Sequence, residues 1–219
     1  MCGRYRRPGK QKIAETFAVD DGLDELDLEL DDHASPQSMQ PVIFLNEDGK
    51  RQIRLMRWAF KLPDRLLFNA RSEGIEKSKF WGESFSKRRC IVPANSIFES
   101  QDLSNGRKGD RYELTLPDRE VFGMAGVWQP WQNPKTAHWE PTFAILTGEP
   151  NETASVLHDR LATILDPRDY QEYLADAKRP PVHLLRILPS DQLQATRLEK
   201  SANKSQKLSE PQISLFGDI

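Results

Sequence analysis

Cysteine occurs only twice in the 219 residues, and the first cysteine directly follows the initiating methionine. Removal of Met1, which is usual in the cytosol before a small side chain, would leave Cys2 with an α-amine and a thiol on one residue. With pKa values of about 7.7–8.0 and about 8.5, both groups are partly nucleophilic near neutral pH. An aldehyde can form a Schiff base with the amine, and the thiol can then close a thiazolidine ring. The alternative is a small residue in a frayed terminus.

Composition describes a polar globular chain, with 37% hydrophobic and 29% charged residues. No segment approaches the roughly 20 apolar residues that span a bilayer, and no apolar stretch follows the basic start as in a secretory signal. Cys2 and Cys90 are too few for a structural zinc site, and a cytosolic protein of this size needs no disulfide. We therefore expect a cytoplasmic protein without metal, other cofactor or membrane partner.

The charge is unevenly distributed along the chain. The net charge of −2 argues against a protein that coats nucleic acid. Eight acidic residues and no basic residue lie between positions 20 and 32, so the remaining chain is net positive. We expect the acidic segment to form a mobile surface loop, and the basic remainder permits phosphate contacts.

The pattern of apolar residues and turns favours many short strands with a few helices. Residues 41–60 form two apolar runs around an Asp-Gly turn, which predicts a hairpin. Further strands are expected within residues 88–100, 110–128, 141–148 and 158–165, and helices within 9–19, 72–85, 166–177 and from 190. The sequence thus predicts an α+β fold, a single domain over residues 1–200 with an antiparallel barrel-like β-sheet and inserted helices. Residues 201–219 are expected to form a flexible tail.

Five short motifs resemble one known family in content and order. They are MCGR at the terminus, FNARSEGI at 68–75, RRCIVPANSIFE at 88–99, FGMAGVW at 122–128 and VLHDRLATIL at 156–165. On these motifs the chain resembles the SOS-response-associated peptidase (SRAP) family over roughly residues 2–200. The family's members crosslink to abasic sites in single-stranded DNA. The resemblance implies that mature Cys2 forms a thiazolidine with the ring-opened sugar aldehyde.

The resemblance also implies three supporting residues: Asn69, Glu99 and His158. A His with a pKa of about 6.5 can transfer protons in both directions as the closed sugar opens. Glu99 would orient the α-amine and shuttle protons, with a pKa raised by burial. Asn69 would hold the terminus or the sugar through hydrogen bonds. The alternatives are a structural histidine, an ordinary strand-edge carboxylate and a turn asparagine.

Four residues are candidates for DNA contacts. Arg71 follows Asn69 by two positions, so both side chains would face the same way in a strand. The guanidinium group of Arg71 could then bind a phosphate next to the lesion through two hydrogen bonds. Arg4 is a second candidate for a phosphate contact. At the position where the family has an Asn that contacts DNA, this chain has His33. Trp58 offers an aromatic face for a base, or else is a core residue.

The tail contains a second motif, QISLF, at residues 212–216. It resembles the pentapeptide with which bacterial repair proteins bind the β sliding clamp. Leu215 and Phe216 would enter an apolar pocket while Gln212 binds its polar edge. Alternatively, the tail packs on its own domain.

The sequence predicts a monomeric, nucleoid-associated protein that binds single-stranded DNA and traps abasic sites through Cys2. Strand cleavage by an abasic-site lyase reaction could accompany the Schiff base. One alternative is an N-terminal-cysteine peptidase or amidohydrolase that removes its own Met1. Another is a non-catalytic DNA-binding module tethered to the clamp.

Overall fold

The computed structural model of the protein describes residues 2–199. Its α-helices are α1 Lys10–Phe17, α2 Gly82–Lys87, α3 Glu152–Ser155 and α4 Tyr170–Leu174. Its 3₁₀ helices are Ile75–Lys77, Pro167–Asp169, Val182–Leu184 and Ser190–Gln192. Its strands are β1 Tyr5–Arg7, β2 Asp31–Ala34, β3 Met39–Leu45, β4 Arg51–Trp58, β5 Phe60–Lys61, β6 Leu66–Leu67, β7 Asn69–Arg71, β8 Arg89–Ala94, β9 Ser96–Asp102, β10 Lys108–Thr115, β11 Phe122–Gln132, β12 Trp139–Gly148, β13 Leu161–Ala162 and β14 Gln194–Arg197.

Five strands close a barrel in the order β11–β8–β3–β4–β12, because β12 pairs with both β4 and β11. The β4–β12 pairing is parallel, and the other pairings around the barrel are antiparallel. Strands β7 and β13 also pair with β12. The predicted α+β fold with a barrel-like, largely antiparallel sheet is confirmed.

A second sheet holds the amino-terminal strand in its interior. Its order is β14–β10–β9–β1–β2, so β1 has a hydrogen-bonded partner on each side. Tyr5 pairs with Ala34 on one side and with Ile97 on the other. The start of the chain is therefore fixed by residues that lie far away in sequence.

Alternate residues of the barrel strands enter two hydrophobic clusters, as the pleat of a strand requires. Val42 and Val92 belong to one cluster, whereas their neighbours Ile43 and Ile91 belong to the other. The first cluster also contains Cys2. The side chain of the second residue is thus part of the main core.

Several predicted elements differ from the structure in extent. The hairpin at 41–60 is present as β3 and β4. The helix predicted over 72–85 is instead one 3₁₀ turn followed by α2, and Gly74 precedes that turn with a φ of 64°. The helix expected within 166–177 begins as predicted, where the side chain of Asp166 accepts a hydrogen bond from the Arg168 amide.

The acidic segment 20–32 was predicted as a mobile surface loop, but backbone hydrogen bonds attach it to the domain. The Asp20 amide donates to the Arg51 carbonyl at 2.8 Å, and the Leu28 carbonyl accepts from the Lys10 amide at 2.8 Å. Leu28 is buried, and the last two acidic residues belong to β2. The loop prediction is corrected to a segment anchored at several points.

Among residues 2–199, no helix has the length and apolarity needed to cross a membrane. The predicted clamp motif, with Gln212, Leu215 and Phe216, lies outside the described residues.

Arg89 joins α2, α4 and β8 through one buried guanidinium group. Its nitrogens donate to the carbonyl oxygens of Phe85, Ser86, Tyr173 and Ala175 at distances of 2.5–2.6 Å. Burial lowers the pKa of Arg89. Because backbone acceptors buried without a donor are costly, this side chain stabilises the packing of both helices on the barrel.

We expect Arg89→Met to lower the free energy of unfolding by about 3 kcal/mol or more, because several buried carbonyls lose their donor together. Urea denaturation followed by circular dichroism measures the change as a lower midpoint. Arg88→Met is the matched control, since Arg88 makes one longer carbonyl contact of 3.3 Å and a rim ion pair. Equal midpoints for the two variants would contradict the assigned role.

Candidate active site

Cys2 lies in the core because β1 is held between two strands. The residue precedes β1 by three positions and has no exposed surface. Burial raises the pKa of the Cys2 thiol well above its usual value, and the negative charge of Glu99 adds to this effect. The positive amino terminus and a hydrogen bond from the Arg4 backbone oppose the shift. The thiol is therefore protonated at neutral pH.

Glu99 lies on β9 and interacts electrostatically with the Cys2 thiol. It is 7% exposed, and burial raises its pKa to about 7. The positive charge at the amino terminus and Lys108 oppose this shift. At neutral pH the carboxyl group is thus divided between its neutral and charged forms, so it can donate or accept a proton.

His158 follows α3 and is joined to the end of β9. The amide of Asp102 donates to the carbonyl of Leu157 at 2.7 Å, and the His158 amide donates to the Ala154 carbonyl at 3.0 Å. These bonds bring the histidine next to the strand that carries Glu99. The structure thereby assembles three of the predicted residues, Cys2, Glu99 and His158, from distant parts of the chain.

The His158 ring contacts charged groups on both sides. Its Nε2 lies 3.1 Å from Asp102 Oδ2, and its Nδ1 lies 2.6 Å from Asp159 Oδ1. Burial and the positive amino terminus lower the pKa of His158, and the two carboxylates oppose this. The net downward direction leaves the ring mostly neutral at pH 7 and able to accept a proton.

Asn69 begins β7 and has an unused acceptor. Its Nδ2 is 3.5 Å from the carbonyl oxygen of Ile145, and its buried Oδ1 has no hydrogen-bond partner among residues 2–199. The preceding residue, Phe68, packs against the core cluster that contains Cys2. An unpaired buried oxygen suits a donor brought by the terminus or by a substrate.

Trp58 is a core residue, so the prediction that its ring receives a DNA base is wrong. The side chain is completely buried, and its Nε1 donates to the Phe68 carbonyl at 2.9 Å. Its ring packs against Tyr5 and Phe143 at centroid distances of 5.3 and 6.3 Å. Trp58 instead supports the wall behind Cys2.

The other DNA-contact candidates are accessible to different degrees. His33 is exposed on β2, Arg71 is exposed at the end of β7 and Arg4 is half-buried beside Cys2. Arg4 lines a surface cavity of about 410 Å³. The complete lining is Gly3, Arg4, Phe98, Glu99, Ser100, Lys108 and Arg111.

Sequence reasoning missed three charged residues at this site: Asp102, Lys108 and Arg111. In the β9–β10 hairpin, Arg111 pairs with Ser100 and Lys108 pairs with Asp102. The Asn105-Gly106 turn was the available signal, because Asn-Gly is typical of tight hairpins and would have placed the basic strand opposite β9. Their neighbourhood depends on strand register, which no short motif encodes.

Asp102, His158 and Asp159 could in principle bind a metal ion, since each offers an atom within 4.8 Å of the others. However, Lys108 forms an ion pair with Asp102, and the two carboxylates contact opposite nitrogens of the ring. A cation would have to displace these contacts. The arrangement therefore fits a hydrogen-bonded proton-transfer group better than a metal centre.

Solved structures of two bacterial proteins have the same fold. A Bordetella bronchiseptica protein superposes with a TM-score of 0.75 at 21% identity, covering 91% of this chain and 100% of its own. A Bacteroides thetaiotaomicron protein superposes with a TM-score of 0.77 at 20% identity, covering 91% of this chain and 92% of its own.

Sequence comparison gives relatives with a common name. Abasic site processing protein YoqW of Bacillus subtilis is 25% identical over 224 residues, covering 97% of this chain and 98% of its own. Abasic site processing protein HMCES of Gallus gallus is 28% identical over 182 residues, covering 67% of this chain and 54% of its own. The SOS response associated peptidase (SRAP) family profile matches residues 1–205. The resemblance seen in the five motifs is thus confirmed, and the chain belongs to the SRAP family.

Proposed function

We propose that this protein binds single-stranded DNA and covalently traps abasic sites through Cys2. The observation that carries the proposal is the position of the Cys2 thiol beside Glu99, whose pKa is about 7. His158 completes the group, and several relatives are named abasic site processing proteins. An aminothiol beside two groups that exchange protons near neutral pH suits condensation with an aldehyde.

The reaction requires removal of Met1, which turns the Cys2 nitrogen into a primary amine. The amine nitrogen attacks C1′ of the ring-opened sugar, and the aldehyde oxygen leaves as water to give an imine. The sulfur then adds to the same carbon while its proton passes to the nitrogen. One C–N and one C–S bond form, the C=O bond is lost, and water is the only leaving group. The amine and the thiol of Cys2 and the aldehyde supply all the atoms.

The residues around Cys2 have separate roles in the proposed reaction. Glu99 can donate the proton that turns the departing oxygen into water, because a carboxyl group with a pKa of about 7 is often protonated at neutral pH. Neutral His158 accepts a proton during sugar opening or amine attack. Asn69 Oδ1 accepts a hydrogen bond from the amine or from a sugar hydroxyl.

Basic side chains beside the reacting group supply the phosphate contacts. Arg4 and Arg111 line the cavity next to Glu99, and Arg71 and His33 are further candidates. Such contacts hold the DNA backbone without reading its sequence. This suits a protein whose target has lost its base.

A peptidase activity limited to Met1 is the second candidate. The family description names a peptidase, and Glu99 couples electrostatically to the amino terminus. An amide-cleaving enzyme would not distinguish an aldehyde from the corresponding alcohol. The two candidates therefore differ in the electrophile that they need.

We also propose recruitment to a bacterial sliding clamp through Gln212, Leu215 and Phe216. The motif combines a polar anchor with two adjacent hydrophobic side chains, the usual composition of a short docking peptide. It would bring the abasic-site chemistry to replicating DNA in the nucleoid.

For the crosslink, we expect Met1-processed protein to form a band of reduced mobility with an abasic single-stranded oligonucleotide on a denaturing gel. Cys2→Ala should abolish it, and a borohydride-reduced abasic site should give none, because no aldehyde remains. Cys2→Ser keeps the amine, so it should cleave the strand through the imine without a lasting adduct. An adduct that survives in Cys2→Ala would refute the mechanism.

For DNA affinity, we expect Arg111→Ala to weaken binding to an oligonucleotide with a reduced abasic site. The slope of log K against log salt should become shallower by about 0.7 for the lost phosphate contact. Fluorescence anisotropy at several salt concentrations measures it. Lys50→Ala, in the exposed β3–β4 turn, is the control and should keep the wild-type slope. An unchanged slope in Arg111→Ala removes this residue from the DNA path.

For the tail, a labelled 209–219 peptide should bind a bacterial β clamp in an anisotropy titration. Replacement of Leu215 and Phe216 by Ala should abolish the signal, since these side chains supply the apolar contact. If the wild-type peptide fails to bind at high micromolar clamp, recruitment by this motif is ruled out.

A further inference from the structure

Asp102 bridges two groups with its two carboxylate oxygens. Oδ1 accepts a hydrogen bond from Lys108 Nζ, and Oδ2 lies 3.1 Å from His158 Nε2. Asp102 lies at the end of β9 and Lys108 at the start of β10, so the hairpin register fixes the first contact. Each oxygen of this carboxylate therefore has its own partner.

The other nitrogen of His158 accepts a backbone hydrogen bond. The Arg160 amide donates to Nδ1 at 3.0 Å. In a neutral imidazole only one nitrogen carries a proton, so a ring that accepts at Nδ1 must carry its proton at Nε2. Nε2 lies 3.1 Å from Asp102 Oδ2. The Arg160 amide at Nδ1 and the Asp102 carboxylate at Nε2 thus favour the Nε2–H tautomer, whereas the Asp159 carboxylate 2.6 Å from Nδ1 favours a proton on that nitrogen.

Protonation changes only the Nδ1 side of the ring. Asp159 Oδ1 lies 2.6 Å from Nδ1, and its side chain is 84% exposed. A proton gained at Nδ1 therefore meets a carboxylate in contact with solvent, while Nε2 keeps Asp102 Oδ2 as its neighbour at 3.1 Å. Nδ1 is the nitrogen that titrates, and Nε2 stays protonated in both states.

We propose that Asp102, oriented by Lys108, is a positioning residue that keeps the neutral His158 proton on Nε2 and so reserves Nδ1 for proton exchange. This rests on the proposed crosslinking function for its catalytic meaning. The tautomer itself can be measured without DNA.

Other charges around the ring have broader effects. The positive amino terminus and Lys108 favour neutral His158, whereas Asp102 and Asp159 favour the cation. A change in charge alone would shift the titration midpoint without changing which nitrogen is protonated. The tautomer therefore separates positioning by Asp102 from a general field effect.

Lys108 determines which way an amide at position 102 would point, because an ammonium group has only hydrogen-bond donors. In Asp102→Asn, Lys108 should draw the amide oxygen toward itself and leave the amide nitrogen facing Nε2. The ring must then accept at Nε2 and carry its proton at Nδ1. In Asp102→Asn/Lys108→Met, the amide can rotate, return its oxygen to Nε2 and restore the original tautomer.

The first measurement is long-range ¹H–¹⁵N correlation NMR of the free, full-length protein. The chain has 4 histidines, and His158→Gln identifies the signals of His158 by their loss. We expect the Nε2–H tautomer in wild type, Lys108→Met and the double variant, and the Nδ1–H tautomer in Asp102→Asn. The Nε2–H tautomer in Asp102→Asn would overturn the proposal.

The second measurement is the rate of crosslinking to the abasic oligonucleotide as a function of pH. Asp102→Asn should be slower by about 100-fold, the low end of what a positioned general base contributes. Lys108→Met is the reference for the double variant, because it removes the same positive charge from the cavity and keeps the Asp102 carboxylate. The double variant should recover to within about 10-fold of Lys108→Met.

The outcomes are distinguishable. Wild-type crosslinking with equal rates in Asp102→Asn and wild type refutes positioning by Asp102. A double variant that stays as slow as Asp102→Asn refutes the orienting role of Lys108. The expected tautomers in a wild-type protein that forms no crosslink would refute the proposed function and leave the tautomer assignment standing. Circular dichroism verifies the fold of each variant.

Discussion

Pairing of the first strand between two others is the constraint on which the site depends. β1 has three residues, yet β2 and β9 bind its two edges and keep the start of the chain in the core. A chain end normally frays, and a frayed Cys2 would meet water instead of Glu99. The same burial makes the thiol less acidic and the carboxyl group less acidic, so both are held in their protonated forms to higher pH. Burial of the chain start thus determines both the position of Cys2 and the raised pKa values of Cys2 and Glu99.

Desolvation shifts the pKa values of the two titrating groups of the site in opposite directions. It raises the pKa of Glu99 from 4.5 to about 7 and lowers that of His158 from 6.5. Each shift favours the uncharged form, so that a proton-donating carboxyl group and a proton-accepting imidazole are available near neutral pH. The surrounding charges of Asp102, Asp159 and Lys108 adjust this balance without being buried themselves. Burial beside the core cluster that contains Cys2 thus shifts both groups toward their uncharged forms.

The sequence was informative where local rules decide the structure. The Asp-Gly turn predicted the β3–β4 hairpin, and motif order indicated the family and the grouping of Cys2 with Glu99 and His158. The sequence was not informative where pairing between strands determines which side chains are buried or adjacent. A tryptophan at the end of a strand can face solvent or core, and the barrel closure at β12 buries Trp58. Asp102 and Lys108 meet only through the register of β9 with β10. Register follows from the whole sheet rather than from neighbouring letters.

The late arrival of the partner strand has a consequence for biosynthesis. Tyr5 pairs with Ile97, so the ribosome must add about 90 residues before β9 exists. At about 5–20 residues per second, the nascent amino end stays unpaired for several seconds. An aminopeptidase that removes Met1, as the proposed function requires, would act in this interval, before β1 pairs. The proposed maturation of the terminal cysteine would then be timed by chain topology, ahead of the burial of Cys2.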